Sequence, residues 1–209
     1  MEPTRSQTTP GLESGTDRGV SWLRATCVLV LMPALTLHRP GFAACWLTRH
    51  QLQHLLRGRR AVILDVETTD LDGPVCEIAV IDTTGRMLLD TLVRPELPIE
   101  PAATAVHGLR DEDVATAPVL RHVLPRLLDV TRGRTVIAYN APFDRAALSA
   151  SAPPYPLAHL ADSRSWWCAM RARRVLEHTP AWQPLEGGHR AGRDVQATLS
   201  LLRWLQTRS

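Results

Sequence analysis

Two carboxylates stand two residues apart in Asp65-Val66-Glu67-Thr68-Thr69, directly after the apolar run Ala61-Val62-Ile63-Leu64. Alternate side chains of a strand share a face, so Asp65 and Glu67 project together while Leu64 and Val66 point the other way. Paired anions at the mouth of a buried strand need cations, protons or hydrogen-bond donors. A third acid ends Asn140-Ala141-Pro142-Phe143-Asp144, where a short strand runs into a helix with Pro142 in its first turn. Asp144 could simply complement the helix dipole there, but it aligns at helical spacing with Ala147 and Leu148, on the packed side. The fourth, Asp194, closes His189-Arg190-Ala191-Gly192-Arg193-Asp194. It precedes Thr198 by one turn and Leu201 by two, on the stripe that must face a sheet. His189 lies just outside this last helix, behind Gly187-Gly188, and can swing over the same spot. Four inward carboxylates drawn to one end of a sheet make a hard oxygen site suited to Mg²⁺ or Mn²⁺. Two such ions can clamp the attacking and leaving oxygens of a phosphodiester. An imidazole beside them can take a proton from water near neutral pH.

The elements that must position these groups are legible from residue 60 onward. Ala61 to Leu64, Glu77 to Asp82 and Met87 to Val93 read as three strands of an antiparallel meander, with a turn at Thr83-Thr84-Gly85. Pro98 to Pro118 reads as a loop-rich connector, and Val119 to Val130 as a helix despite Pro125. Thr135 to Tyr139 gives a fourth strand, Pro142 to Ala150 a helix, Leu160 to Ser165 a fifth strand, Trp166 to Glu177 a helix, and Gly192 to Gln206 the closing helix. A meander followed by strands alternating with helices predicts an α/β fold, a mixed sheet covered on both faces.

Asp65-x-Glu67-Thr68-Thr69, Asn140-x-x-Phe143-Asp144 and His189-Arg190-Ala191-x-x-Asp194, in that order, resemble the three motifs of the DEDDh 3′–5′ exonucleases. That family includes the DNA polymerase III epsilon subunit, ribonuclease T and oligoribonuclease. His107-Gly108-Leu109 before Asp111-Glu112-Asp113-Val114 resembles its connector after strand three. The resemblance covers residues 61 to 209 and implies a ribonuclease H-like, mixed five-stranded sheet. It also implies two Mg²⁺ or Mn²⁺ ions held by Asp65, Glu67, Asp144 and Asp194, with His189 as general base. Thr68, Thr69, His107, Asn140 and Phe143 would lie along the terminal nucleotide. The implied reaction releases nucleoside 5′-monophosphates from single-stranded or frayed 3′ ends, DNA ahead of RNA, in a repair setting. An RNA-trimming exoribonuclease and a silent nucleic-acid-binding module are the rival readings. Asp70, Tyr139 and Val195 depart from common family residues, and none of them is an implied ligand or base.

Bulk composition is compatible with this chemistry without demanding it. All 24 basic residues are Arg, in keeping with a GC-rich coding bias, and the net charge is +3. Residues 1 to 60 hold 8 Arg against 3 acids, while 61 to 209 hold 16 against 18. Ions on four of those acids would leave the domain able to approach a polyanion. Cys27, Cys45, Cys76 and Cys168 form no C-x-x-C pair, which points to a reduced, cytoplasmic protein without structural zinc. Residues 1 to 45 read as a disordered or mis-started extension, 46 to 59 as a short amphipathic helix with Trp46, Leu47, Leu52, Leu55 and Leu56 as its apolar face, and 60 to 209 as the exonuclease domain. Ala25 to Leu37 is too short and too broken by Pro33 to span a bilayer, so no stable membrane association is expected. Arg49, Arg57, Arg59 and Arg60 read as a solvated face, Trp166 and Trp167 as core or a surface pair, and polymerase association is possible but has no support in the sequence.

Overall fold

The structure, a computed structural model, describes residues 42–151, 160 and 165–208. Expectations for residues 1 to 41, including the apolar run Ala25 to Leu37, and for residues 161 to 164 lie outside the described residues. The described chain runs α1 (Phe42–Leu56), β1 (Ala61–Thr68), β2 (Val75–Asp82), β3 (Met87–Leu92), α2 (Pro101–His107), α3 (Asp111–Val114) and α4 (Leu120–Thr131). It continues through β4 (Thr135–Ala138), α5 (Ala141–Ser151), β5 (Trp166–Cys168), α6 (Ala169–Leu176) and α7 (Ala191–Thr207). The five strands form one sheet in the order β3-β2-β1-β4-β5. β1, β2 and β3 are antiparallel, whereas β4 runs parallel to β1 and β5 parallel to β4.

Strand alternation sorts the core onto the two faces. Val62, Leu64 and Val66 of β1 pack with Leu124 and Leu127 of α4 and Leu148 of α5. Ala61 and Ile63 pack on the opposite face with Val195, Leu199 and Leu202 of α7 and Leu52 of α1. Asp65 and Glu67 continue the parity of Ala61 and Ile63, so they turn toward α7. β1 also outruns its parallel neighbour, because pairing with β4 covers only Ala61 to Ile63. On its β4 side, though not on its β2 side, the outer end of β1 is unpaired, and this leaves a notch into which the first turn of α5 can reach.

Three expectations need correction. The connector from Pro98 to Pro118 contains α2 and α3: Pro101 sits in the first turn of α2, and Gly108 closes it at φ 78° with its N–H on the Thr104 carbonyl. The fifth strand is Trp166–Cys168, within the stretch read as helix; aromatics suit a strand, and this one pairs with β4 at the edge of the sheet. In α1 the buried stripe runs through Leu52 and Leu55, while Trp46 and Leu47 are about half exposed. Trp46 and Leu47 lie well round the helix from Leu52 at 100° per residue, so they cannot share its face. Among the described residues, no helix is long and apolar enough to cross a membrane.

Candidate active site

The outer end of β1 gathers the acids. One carboxylate oxygen from each of Asp65, Glu67 and Asp194 lies within 4.8 Å of the other two. Asp194 arrives from the first turn of α7 and is 8% exposed. Asp144 arrives from the first turn of α5 through the notch beside β1 and is 2% exposed. It stands outside that trio. The backbone N–H groups of Val66 and of Asp144 itself point at its carboxylate.

This crowding is expensive for the charged forms. Burial, then the charges of Asp144, Glu67 and Asp194, hold the Asp65 carboxyl well above the usual carboxylate range. Burial, then Asp194 and Glu77, does the same to Glu67. Burial pushes Asp144 up to about 8, against the pull of its backbone donors. Asp194 is raised by burial, although the neighbouring His189 charge and the N–H groups of His189 and Arg190 draw it back. Asp194 Oδ1 is buried with no hydrogen-bond partner. A divalent cation would supply what this oxygen and the crowded carboxylates lack, and oxygen-only donors fit Mg²⁺ or Mn²⁺.

The loop before α7 is folded tightly over Asp194. A methyl carbon added at Gly187 would stand 1.9 Å from Asp194 Oδ1, so no side chain fits there. His189 follows at φ 54°, in the left-handed region that is uncommon outside glycine although histidine enters it more readily than most residues. That conformation curls the chain so that the His189 N–H faces Asp194. The imidazole of His189 is near enough for its charge to act on Asp194, though it is not among the three groups whose ligand atoms cluster.

The remaining expected residues sit around this corner with different duties. Thr68 and Thr69 are buried, and the Thr68 hydroxyl donates to the Asp70 carbonyl at 2.6 Å. Thr69 N–H donates to the Pro74 carbonyl at 2.9 Å, and its own carbonyl accepts from Glu100 N–H at 2.9 Å. His107 is buried with both ring nitrogens engaged inside the chain. Its Nδ1 accepts from Leu109 N–H at 3.1 Å, so Nε2–H donates to the Thr68 carbonyl at 3.2 Å. Burial lowers the pKa of His107, consistent with a neutral ring in those roles. The Asn140 carbonyl accepts from Phe143 N–H at 2.8 Å, opening α5, and Phe143 packs partly into the core.

Two residues not anticipated from sequence adjoin the acids. Glu77 of β2 pairs across the sheet with Glu67, and Arg190 forks onto it. Their signal was present: meander register places Glu77 on the face shared by Asp65 and Glu67, and Arg190 directly follows His189.

The Exonuclease (RNase_T) family model matches residues 62–202. The chain is 36% identical over 98 residues to the uncharacterized exonuclease CP81 of Escherichia phage 186, covering 46% of this chain and 50% of the relative. It is 33% identical over 117 residues to exodeoxyribonuclease 10 of Escherichia coli K12, covering 54% of this chain and 47% of that protein. The matches thus span about half the length of these curated relatives. The fold is similar to that in the structure titled 3′-end specific recognition of histone mRNA stem-loop by 3′-exonuclease. That likeness has a TM-score of 0.53 at 14% identity, and covers 79% of this chain and 72% of that one. Such low identity speaks for the ribonuclease H-like fold alone.

Proposed function

This chain belongs to the RNase_T exonuclease family, and on that premise we propose that it is a divalent-metal-dependent 3′–5′ exonuclease acting on single-stranded or frayed DNA ends. One observation carries the reading: Asp65, Glu67 and Asp194 bring oxygens within 4.8 Å of one another, and one of those carboxylates has a buried oxygen with no partner.

In this reading Asp65, Glu67, Asp144 and Asp194 hold the ions. When bound, two divalent ions acidify water and stabilise charge on the departing oxygen. His189 accepts the proton of the attacking water, and the folded loop from Gly187 to Arg190 fixes where its ring can reach. The hydroxide forms the new P–O bond as the bond to the 3′ oxygen breaks, releasing a nucleoside 5′-monophosphate. The buried Thr68-Thr69 backbone borders the terminal nucleotide. His107 acts through the Thr68 carbonyl that it holds, while Asn140 and Phe143 shape the α5 side. DNA is placed ahead of RNA because exodeoxyribonuclease 10 is among the proteins this chain resembles.

Digestion of matched single-stranded DNA and RNA oligonucleotides tests the reading. Expected is stepwise release of 5′-monophosphates with Mg²⁺ or Mn²⁺, faster on DNA, and none with chelator. The variant His189→Ala should lose roughly a hundredfold to a thousandfold in kcat while still binding metal. Chelator-resistant digestion, or a fully active His189→Ala protein, would contradict the scheme; faster digestion of RNA would reverse the substrate assignment.

A further inference from the structure

We propose that Glu77 and Arg190 are positioning residues: the fork of the partly exposed Arg190 onto the buried Glu77 fixes the start of α7 and thereby sets where His189 and Asp194 stand. The inference rests on the reading of Asp65, Glu67 and Asp194 as ligands and extends it to a pair that binds neither ion nor nucleotide.

Glu77 is 4% exposed and faces Glu67 across the antiparallel β1–β2 pair. Two directly opposed glutamates repel, so one of them needs a cation of its own. Arg190 provides it: Nη2 donates to Glu77 Oε1 at 2.7 Å, and Nε lies 3.2 Å from Oε1 and 3.1 Å from Oε2. Ala191 N–H adds a bond to Oε2 at 2.9 Å. That last contact has a specific meaning. α7 has Arg190 at its N-cap position with no side-chain cap of its own, so Glu77 from another strand takes an N–H that the helix start leaves open.

The residue so held lies between the two groups that matter. His189 immediately precedes it, in a left-handed conformation uncommon outside glycine. The Arg190 carbonyl accepts from Asp194 N–H at 2.9 Å, the turn that carries the ligand. Removing the guanidinium frees this turn and also leaves Glu77 as a fifth anion beside Glu67. A small misplacement of a base or ligand costs catalysis far more than it costs substrate binding.

The test uses the full chain, with Glu77→Gln, Arg190→Lys, Arg190→Met and the double variant Glu77→Gln/Arg190→Met. Steady-state kinetics on a single-stranded DNA oligonucleotide are read beside Mn²⁺ binding by electron paramagnetic resonance and the thermal midpoint. Arg190→Met should lose about a hundredfold in kcat with KM changed less than about threefold, and weaken Mn²⁺ binding about tenfold. Arg190→Lys keeps the charge without the fork and should recover about threefold to tenfold of the lost kcat. The double variant should be no worse than Arg190→Met alone, because both changes break one interaction. If Arg190→Met does not fold, Arg190→Lys against wild type carries the same comparison. The proposal is overturned if the tested Arg190 variant keeps kcat and Mn²⁺ affinity within about twofold of wild type, if its loss only tracks the unfolded fraction at assay temperature, or if the two changes multiply. A wild-type chain that neither cleaves nor binds Mn²⁺ sinks the exonuclease reading itself, a result separate from any difference among these variants.

Discussion

Replacing Asp144 with Asn is expected to cut turnover by about a thousandfold, roughly 4 kcal/mol of barrier, while making the metal-free protein more stable. The two effects share one cause. Asp144 is 2% exposed, and burial lifts its carboxyl to about 8. Its charge is also the largest electrostatic burden on Asp65 after burial itself. Asn keeps the shape and can still accept from the Val66 N–H, so the fold loses little. What disappears is the negative oxygen needed to hold a divalent ion. Steady-state kinetics with Mg²⁺, together with calorimetry in chelator near pH 8, reads both effects. Near-normal digestion by a folded Asp144→Asn protein would remove this residue from the site.

The second large effect is a metal-free protein that becomes less stable as pH rises. Asp65, Glu67, Asp144 and Asp194 all have folded-state pKa values raised above their ordinary ones. The native chain therefore keeps protons that the unfolded chain has released, and stability falls with pH across that interval. For Asp144 the interval runs from the usual carboxylate range up to about 8. Each unit of difference is worth about 1.4 kcal/mol, so the loss is on the order of several kcal/mol between pH 5 and 8. His107 works in the opposite sense: its lowered pKa gives stability that is present above the ordinary imidazole value and lost below it. One such group does not offset four carboxylates. Asp82, whose pKa is lowered, loses its contribution only as pH falls through the carboxylate range. Added Mg²⁺ or Mn²⁺ should restore the midpoint much more at pH 8 than at pH 5, by binding the native state alone. A midpoint in chelator that is flat or rising over this range would mean the acids are not crowded as described.

How much of this was visible beforehand depended on whether a residue's role was local. Parity along β1 put Asp65 and Glu67 on one face, and helical spacing put Asp144 and Asp194 inward, because those periods are properties of the backbone itself. The meander was equally plain from its turn at Thr83-Thr84-Gly85. The fifth strand is not legible at Trp166-Trp167-Cys168 because this segment gains its strand identity from pairing with β4, a partner thirty residues away. The connector helices were missed because the dense Pro and Ala there mask the start at Pro101 and the stop at Gly108. Trp46 and Leu47 looked like core by type, yet their angle on α1 leaves them in solvent. Glu77 stands in no motif, and Arg190, though part of the His189 motif, has no role legible there, for a related reason. Their value lies in a contact between β2 and α7 across 113 residues, and no local period encodes such a pairing.

Anomalous scattering from crystals soaked with Mn²⁺ bears most directly on the convergence of the four acids. The account predicts Mn²⁺ peaks at the outer end of β1, coordinated by carboxylate oxygens of Asp65, Glu67, Asp144 and Asp194, with His189 beside them. Peaks elsewhere, or an Asp144 carboxylate turned away from ions bound by the other three, would contradict it.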